Sequence, residues 1–174
     1  MWYVVQVMSG EEFHCLALCE GKLKGQGYRR MFVPRYARKK RFAGEWHEVL
    51  SVLFPGYLFV DTDEKNIDQL IQGLSEIPRM TKVLRDGETI APITKEAQAY
   101  LMDMLDEEDV FRVSTGLMIG DEIWITEGPL RDYRGKIQRI DRHRRIADLQ
   151  INLFGRQTPV QVGLEVVQKV TKEA

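Results

Sequence analysis

The sequence predicts an α+β N-terminal region, an antiparallel sheet flanked by helices in an RNP-like arrangement, joined to a small all-β, SH3-like barrel. Up to about residue 106, short apolar runs alternate with segments of helical period. After residue 116 only short alternating runs occur, separated by turn residues. The acidic segment between the two regions is typical of a linker. We therefore predict domains at 1–106 and 116–174, with a linker at 107–115.

The first strand and helix are predicted by the N-terminal segment. The apolar, β-branched run at 2–8 favours a buried strand. Ser9 and Glu12 follow with the spacing of a capping box, in which the hydroxyl and the carboxylate each bond a backbone amide, so we expect a helix to begin here. Gly25 and Gly27 end that helix.

Four strands and two helices complete the predicted N-terminal region. The strands are MFVP (31–34), WHEVLSV (46–52), GYLFVDT (56–62) and MTKVLR (80–85). Between the first two lies the acid-free run RYARKKRFAG (35–44), in which Ala43 and Gly44 predict a turn. Asp63 and Thr94 are predicted to cap the two helices, whose apolar residues recur at helical spacing.

The C-terminal region contains five apparent strands in about 55 residues. They are DEIWITEG (121–128), KIQRID (136–141), IADLQINLF (146–154), PVQV (159–162) and LEVVQKV (164–170). Turn signals separate them, including Gly155 and Gly163. Short strands of this kind favour a closed barrel, because closure leaves no exposed sheet edge.

Length, composition and cysteine content restrict the class of protein. The chain has 174 residues, 44% of them hydrophobic, and a net charge of −1, so it can bury a core and its overall charge indicates no particular partner. Cys15 and Cys19 are too few for a disulfide framework, which favours a reducing cytoplasm. The N-terminus lacks a basic region and a long apolar run, so we expect a cytoplasmic monomer without a signal peptide or a membrane partner.

Positive charge is concentrated in the C-terminal region. Residues 1–113 hold 15 basic and 18 acidic side chains, net −3, whereas residues 114–174 hold 10 and 8, net +2. Seven of these ten basic residues lie between positions 131 and 145. Together with one histidine they form the first candidate RNA-binding set: Arg131, Arg134, Lys136, Arg139, Arg142, His143, Arg144 and Arg145.

Two interpretations of this cluster are open. An arginine guanidinium binds a phosphate through two N–H groups or stacks on a base. Tyr133 adds an aromatic face on which a base could stack, so the cluster fits a polyanionic partner. The alternative is a charged edge hairpin that keeps a small barrel soluble. A second basic set, Arg38, Lys39, Lys40 and Arg41, is either a mobile finger that contacts nucleic-acid backbone or a disordered loop.

The segment LFPGYLFV (53–60) carries more aromatic residues than one face of a strand accommodates. Phe54, Tyr57 and Phe59 alternate with aliphatic residues, so both faces of the strand are apolar. Either the strand is covered on both faces, or it presents an aromatic pocket to a partner helix.

No catalytic constellation is present in the sequence. His14, His47 and His143 lie in separate segments without metal-ligand spacing. There is no phosphate-binding glycine loop and no nucleophile elbow. We therefore expect a protein that is not an enzyme and has no metal and no cofactor.

Six segments taken together resemble the NusG family of transcription elongation factors. They are WYVVQVMSG (2–10), FPGYLFV (54–60), IPRMTKVLR (77–85), API (91–93), GDEIWITEGPLRDYRGKIQRID (120–141) and LFGRQTPVQV (153–162). The first four resemble the family's N-terminal NGN domain, and the last two its C-terminal KOW domain. The resemblance covers essentially the whole chain, in order.

The resemblance implies partners for both domains. The family's N-terminal domain binds the clamp helices of RNA polymerase, and that surface falls on Phe54, Tyr57 and Phe59 of this chain. The family's KOW barrel binds a ribosomal protein or the termination factor Rho, and Phe154 occupies the position of that contact. The resemblance therefore favours the partner-pocket interpretation of the aromatic strand.

Two features are similar to a specialised LoaP-type antiterminator rather than to the general factor. The turn DRHRR (141–145) and the segment ARKKRF (37–42) are more basic than in the general member. LoaP-type proteins act on selected operons and bind a structured RNA hairpin in the transcript leader, so the resemblance implies that both basic sets grip such an RNA. RfaH, another specialised type, has a helical C-terminal half, whereas the period-two runs here predict a constitutive barrel. Asp68-Gln69-Leu70 also differs from the His-Thr-Thr pattern of RfaH.

Two alternatives remain beside the antiterminator. One is a general elongation factor that couples polymerase to Rho or the ribosome without specific RNA recognition. The other, from a different class, is a KOW-containing ribosome-associated protein. Whether non-template DNA is also contacted is open.

Overall fold

The computed structural model describes residues 1–78, 80–83, 85–86, 89–153 and 155–171. These residues form two compact units, both discontinuous in sequence. Unit 1 comprises Met1–Pro34, Phe54–Ala99 and Leu153–Gly155, and unit 2 comprises Arg35–Leu53, Tyr100–Asn152 and Arg156–Ala174. The predicted functional division at 107–115 stays a prediction, because compactness alone does not identify functional domains.

The N-terminal region combines helices and strands, and the C-terminal region is all-β, as predicted. The helices and the N-terminal strands are β1 (Trp2–Val7), α1 (Glu12–Leu23), β2 (Arg30–Phe32), β3 (Arg35–Phe42), β4 (Glu45–Val52), β5 (Tyr57–Asp61), α2 (Ile67–Ser75), β6 (Met80–Val83), β7 (Arg85–Asp86), β8 (Thr89–Ile90) and α3 (Lys95–Met104). The remaining strands are β9 (Val110–Phe111), β10 (Ser114–Ile119), β11 (Glu122–Glu127), β12 (Ile137–Asp141), β13 (Ile146–Leu153) and β14 (Arg156–Val170). Short 3-10 turns lie at Glu64–Asn66 and Arg131–Lys136. No helix among the described residues is long and apolar enough to cross a membrane.

Unit 1 is built on a four-stranded antiparallel sheet in the order β2-β5-β1-β6. Val4 of the central strand β1 lies opposite Phe59 of β5. The rings of Trp2, Phe32 and Phe54 surround Phe59, at centroid distances of 6.4, 5.7 and 5.3 Å. Edge-to-face and tilted ring pairs of this kind add specific packing energy to the burial of their area. Phe54 and Phe59 of the FPGYLFV segment are therefore part of the unit 1 core.

Helix α1 begins differently from the predicted capping box. Glu11 is the N-cap residue and makes no side-chain capping bond. The buried Glu12 carboxylate instead accepts N–H bonds from Gly10, at 3.0 Å, and from Gly56, at 2.7 Å. Burial disfavours the ionised form, but these N–H groups outweigh it and hold the pKa of Glu12 below its usual value. Glu12 thus fixes the turn that enters β5, which is a tertiary role that local spacing does not reveal.

The other two predicted caps have different outcomes. Thr94 accepts the N–H of Ala97 at 3.1 Å, so its predicted cap on α3 is confirmed. Asp63 makes no side-chain capping bond and precedes a short 3-10 turn, so α2 begins at Ile67, three residues later than predicted. Leu70 and Leu74 of α2 are buried, in agreement with the predicted apolar face.

The basic segment 35–44 is a regular hairpin and not a mobile finger or a disordered loop. Strands β3 and β4 pair along their whole length, from Arg35 opposite Val52 to Phe42 opposite Glu45. The predicted turn at Ala43 and Gly44 is confirmed, with φ of 52° and 81°. Positive φ at both central residues is the geometry of a type I′ turn, which matches the twist of a two-residue hairpin. Strand β9, inside the predicted linker, extends this sheet by pairing with β3.

The C-terminal strands form one five-stranded sheet in the order β11-β10-β14-β13-β12. Strand β10 falls partly within the predicted linker and was not predicted. The order makes β11 and β12 the edge strands, so among the described residues the predicted closure of the barrel by a continuous ladder is not found. The all-β prediction over 116–171 is nevertheless confirmed.

The predicted turn at Gly163 is wrong, because β14 runs without interruption through this position. A Cβ atom on Gly163 would lie 2.3 Å from the carbonyl oxygen of Ala37 and 3.2 Å from Cα of Arg38, both in β3. Glycine is therefore required by the close approach of two backbones, and not by a turn. The basic hairpin and the barrel consequently pack together within unit 2.

Candidate functional site

The turn between β12 and β13 projects three cationic or titratable side chains into solvent. Arg142, His143 and Arg144 are exposed, and no carboxylate of the described residues lies at salt-bridge distance from any of them. Asp141 accepts the N–H of Arg144 at 3.0 Å, and this bond lowers the pKa of the Asp141 carboxyl. Arg142 donates to the sulfur of Met118 at 3.2 Å. We call residues 142–144 the barrel turn.

The remaining cations of the first set are exposed and weakly paired. Their contacts with carboxylates are long: 3.9 Å for Arg131, 3.8 Å for Arg134 and 3.8 Å for Arg139. Lys136 is exposed and makes no salt bridge within the described chain. Exposed ion pairs at such distances contribute little free energy, so an incoming phosphate displaces them at small cost. This surface is therefore accessible to an anionic partner.

Arg145 differs from the other arginines of its set, because its guanidinium is already engaged. It lies 3.6 Å from the ring centroid of Trp46 in β4 and 2.5 Å from Oε1 of Glu165 in β14. Its side chain is only 26% exposed, and its φ is 54°. We call Trp46, Arg145 and Glu165 the Arg145 clasp. The structure thus assigns this predicted RNA-binding residue to a contact between hairpin and barrel.

The second basic set divides along β3. Arg38 is half-buried, and its buried Nε has no hydrogen-bond partner within the described part of the chain. Lys40 and Arg41 are exposed towards the Ala43-Gly44 turn, and Lys39 is half-buried opposite Glu48. The end of the hairpin therefore offers two or three accessible cations, all within the same compact unit as the barrel turn.

Arg112 ties the segment before the barrel to the basic hairpin. Its guanidinium contacts Asp106 at 2.5 Å, Glu108, and Glu48 of β4 at 3.8 Å. Asp106 also accepts the N–H groups of Glu108 and Val110, each at 2.9 Å. The predicted linker is therefore an ordered part of unit 2.

Tyr133 and Trp124 have surroundings that the sequence did not predict. Tyr133, the predicted stacking residue, donates its hydroxyl to Asp103 and packs against Tyr100 with centroids 4.6 Å apart. That hydrogen bond raises the pKa of Tyr133. Trp124 of β11 is instead 48% exposed, and sequence reasoning missed it because an apolar residue in an alternating run is usually core.

The predicted polymerase-binding aromatics are mostly internal. Phe54 and Phe59 are 2% and 0% exposed, so in this conformation their rings contact the core and not a partner. Tyr57, at the start of β5, is half-buried and retains an accessible part. The interpretation of a strand covered on both faces therefore holds for two of the three residues.

Two exposed apolar residues lie close to Tyr57 and were missed by sequence reasoning. Met8 and Phe13 are large, exposed hydrophobic residues. Each neighbours a residue that bonds Gly56: the N–H of Val7 donates to its carbonyl at 2.8 Å, and Glu12 accepts its N–H. Exposed large apolar side chains are typical of a protein interface when they lie on one surface, and the contacts of Val7 and Glu12 with Gly56 bring the backbone of both residues towards Tyr57.

Two further predictions concern Phe154 and metal binding. Phe154, predicted to bind a KOW partner, lies outside the described residues. Within the described ranges, no group of three or more His, Cys, Asp or Glu residues is arranged to hold a metal ion. Cys15 and Cys19 are buried, and burial raises the pKa of the Cys19 thiol to about 12, so this thiol is protonated at neutral pH.

Comparisons with known proteins identify the family of this chain. A family model described as "Transcription termination factor nusG" matches residues 1–102. The chain is similar to the "Transcription termination/antitermination protein NusG" of Vibrio parahaemolyticus, with 28% identity over 97% of this chain and 95% of that protein. It is also similar to the protein of that name from Thermus thermophilus, with 24% identity over 97% of each chain. A solved structure of Thermotoga maritima NusG aligns over 93% of this chain and 92% of that one, at 22% identity and a TM-score of 0.47. Because the family model covers more than half of the residues, the chain belongs to the NusG family.

Proposed function

We propose that this protein is a transcription elongation and antitermination factor that binds RNA polymerase through its N-terminal region and a structured leader RNA through its basic barrel. Membership of the NusG family supports the first half of the proposal. The second half rests on one observation, the exposed barrel turn with no carboxylate in salt-bridge contact within the described chain. The chain carries no overall positive charge, so this local surface is its main attraction for a polyanion.

The proposed RNA site is a composite of two segments. The barrel turn, with Arg131, Arg134, Lys136 and Arg139, forms its larger part, and Lys39, Lys40 and Arg41 of the β3–β4 hairpin form the smaller. Both segments belong to the same compact unit, and Arg145, next to the barrel turn, contacts Trp46, which lies opposite Arg41 in the hairpin. An A-form duplex is recognised mainly by shape and phosphate contacts, to which arginine forks are suited. Arg145 contributes by holding the hairpin on the barrel, and not by contacting RNA.

The experiment is a salt titration of binding to the transcribed leader RNA of the neighbouring operon, with a scrambled hairpin as the second ligand. The double variant Arg142→Ala/Arg144→Ala is expected to bind the leader at least tenfold more weakly and with a shallower salt dependence, because each lost phosphate contact lowers the slope by about 1. Arg156→Ala removes an exposed cation of unit 2 outside the proposed set and is the matched control. Unchanged leader affinity in the double variant would refute the RNA site.

The same titration separates the proposal from its alternative within the family. A general elongation factor that acts through Rho or a ribosomal protein would bind the leader and the scrambled hairpin equally and weakly. Co-purification with ribosomal subunits in place of polymerase would favour the ribosome-associated alternative.

We propose that the polymerase contact comprises Tyr57 together with Met8 and Phe13. The variant Met8→Ser/Phe13→Ser removes the exposed apolar side chains without opening the core. It is expected to lose most of its affinity for core polymerase and to keep its affinity for leader RNA. Val167→Ser, at an exposed apolar position of β14, is the control. Polymerase binding equal to that of the unaltered protein would remove these two residues from the interface.

A further inference from the structure

Trp124 lies at the edge of the barrel with its indole half in water. It belongs to β11, an edge strand of the five-stranded sheet, and it is 48% exposed. Of the chain's three tryptophans, Trp2 is buried and Trp46 belongs to the Arg145 clasp. Trp124 therefore differs from both, because neither the core nor the clasp explains its position.

The surroundings of Trp124 combine an aromatic face with cations. The guanidinium carbon of Arg134 lies 5.3 Å from the indole centroid, which is within the range of a cation–π interaction. A shallow groove of about 320 Å³ lies beside this pair, between the two edge strands, and Arg134 and Arg139 line it together with Ile123, Ile137 and Ile140. Arg139 is 69% exposed. Trp124 itself does not line the groove, and Arg134 connects the two features, because its guanidinium contacts the indole and also lines the groove.

Two carboxylates beside the groove and Arg134 indicate whether the base or the phosphate of a nucleotide would bind there. Asp121 lines the groove, and Glu122 lies 3.8 Å from Arg134. These carboxylates disfavour a phosphate directly over the indole but tolerate an uncharged base, whose amino and imino groups donate hydrogen bonds. Bases inside a duplex are already stacked and cannot reach a protein side chain, so the base in question is unpaired.

We propose that Trp124 and Arg134 form a stacking platform for one unpaired RNA base, at a bulge or loop next to the duplex gripped by the barrel turn. This inference rests on the proposed RNA-binding function and adds to it the feature of the RNA that is recognised. Phosphate contacts give affinity without information on sequence or shape, whereas a stacked base requires an unpaired nucleotide at a defined distance from the stem. The alternative is a purely structural role, in which the cation–π pair of Arg134 and Trp124 stabilises the barrel and contacts no RNA.

The test compares two RNAs that share a stem, one with a single-nucleotide bulge and one fully paired. Trp124→Ala is expected to weaken binding of the bulged RNA about tenfold, because stacking of one base on an aromatic side chain has an effect of this order. Binding of the paired RNA and the salt slope are expected to stay within twofold of the unaltered protein. Trp124→Phe, which keeps an aromatic face, is expected to recover most of the lost affinity. Val167→Ala is the matched control at an exposed apolar position.

Fluorescence supplies a readout that a structural role of Trp124 would not change. Stacking of the bulged base is expected to quench the indole emission of the unaltered protein, and Trp124→Phe to abolish most of this quenching. Equal losses for both RNAs in Trp124→Ala, or no loss for either, would overturn the inference. Failure of the proposed function is distinct: in that case Arg142→Ala/Arg144→Ala binds both RNAs as the unaltered protein does.

Discussion

The β3–β4 hairpin and the barrel turn are the two basic segments of the chain, and they differ in how their cations are used. In the hairpin, Arg38 is half-buried beside the approach of β14, and only the cations nearest the turn are exposed. In the barrel, Arg142 and Arg144 are open, but the next residue, Arg145, is clasped. Availability of a basic side chain therefore depends on backbone placement and not on local charge density.

The clasped and the open arginines have separate functions in this arrangement. Arg145 and Gly163 hold the hairpin against the barrel, so that the exposed cations of both segments share one body. Arg142 and Arg144 remain exposed because the hydrogen bond from the Arg144 N–H to Asp141 shapes the turn through the backbone, and the bond of the Arg142 guanidinium to the Met118 sulfur leaves its charge without a carboxylate among the described residues. Substitutions at the clasped and at the open residues separate these two functions.

The largest effect is expected from Gly163→Ala, which places a Cβ atom 2.3 Å from the Ala37 carbonyl oxygen. Because both partners are backbone groups in paired strands, neither moves cheaply, and we expect the free energy of unfolding to fall by about 2 kcal/mol or more. Urea denaturation measures the change. Gly135→Ala is the control, because no atom lies within 4 Å of the added methyl group. Equal stability of the two variants would mean that the hairpin does not depend on this approach.

The second prediction compares two neighbouring arginines. Arg145→Ala removes the stack on Trp46 and the ion pair with Glu165, so we expect a loss of about 1–2 kcal/mol in stability and little change in the salt slope of RNA binding. Arg144→Ala is expected to show the opposite: unchanged stability and weaker RNA binding. Thermal unfolding and RNA titration are measured for both variants. Reversed behaviour would assign the RNA contact to Arg145.

A double-mutant cycle sharpens the role of the clasp. Trp46→Ala and Arg145→Ala are combined, and the coupling free energy is the deviation of the double variant from the sum of the single ones. We expect a favourable coupling of about 0.5–2 kcal/mol, the range for a cation–π pair that is partly removed from water. Additive effects would show that the two side chains act independently.

The sequence contains enough information to predict most elements but not their tertiary uses. Alternation and turn chemistry predicted most strands of both regions and the Ala43-Gly44 turn, because these are local properties, whereas β3 and β10 were not predicted as strands. The continuity of β14 through Gly163 was missed, because the sequence does not distinguish a glycine that permits two backbones to approach closely from a glycine that forms a turn. Similarly, nothing local distinguishes Arg144 from Arg145, whose difference arises from Trp46, about 100 residues earlier in the chain.

The sequence predicted which segment of the barrel is basic, but not the surroundings of each side chain. The cations at 131–144 are exposed, whereas the hydroxyl of Tyr133 donates to Asp103 in α3 and Trp124 is exposed on the edge strand β11. Phe54 and Phe59 illustrate the same limit, because an aromatic residue in a short strand is equally consistent with core and with interface. The sequence therefore does not predict the role of a residue whose contacts come from distant parts of the chain.

The smallest effect is expected from Asp106, which joins the segment before the barrel to the hairpin through Arg112. Burial opposes its ionisation, but the N–H of Val110 and the Arg112 guanidinium outweigh it and hold the pKa of Asp106 below its usual value of about 3.9. Because the folded-state pKa is lowered, the stabilisation is fully present above the unfolded pKa and is lost as pH falls through the folded one. Stability measured from pH 6 down to pH 3 should therefore decline less steeply in Asp106→Asn than in the unaltered protein. Asp132→Asn is the control, because its carboxylate has only a long, exposed contact with Arg131. Equal pH profiles for Asp106→Asn and the unaltered protein would show that this carboxylate does not hold the segment, and the contact between hairpin and barrel would then depend on the β3–β9 pairing, Gly163 and the Arg145 clasp.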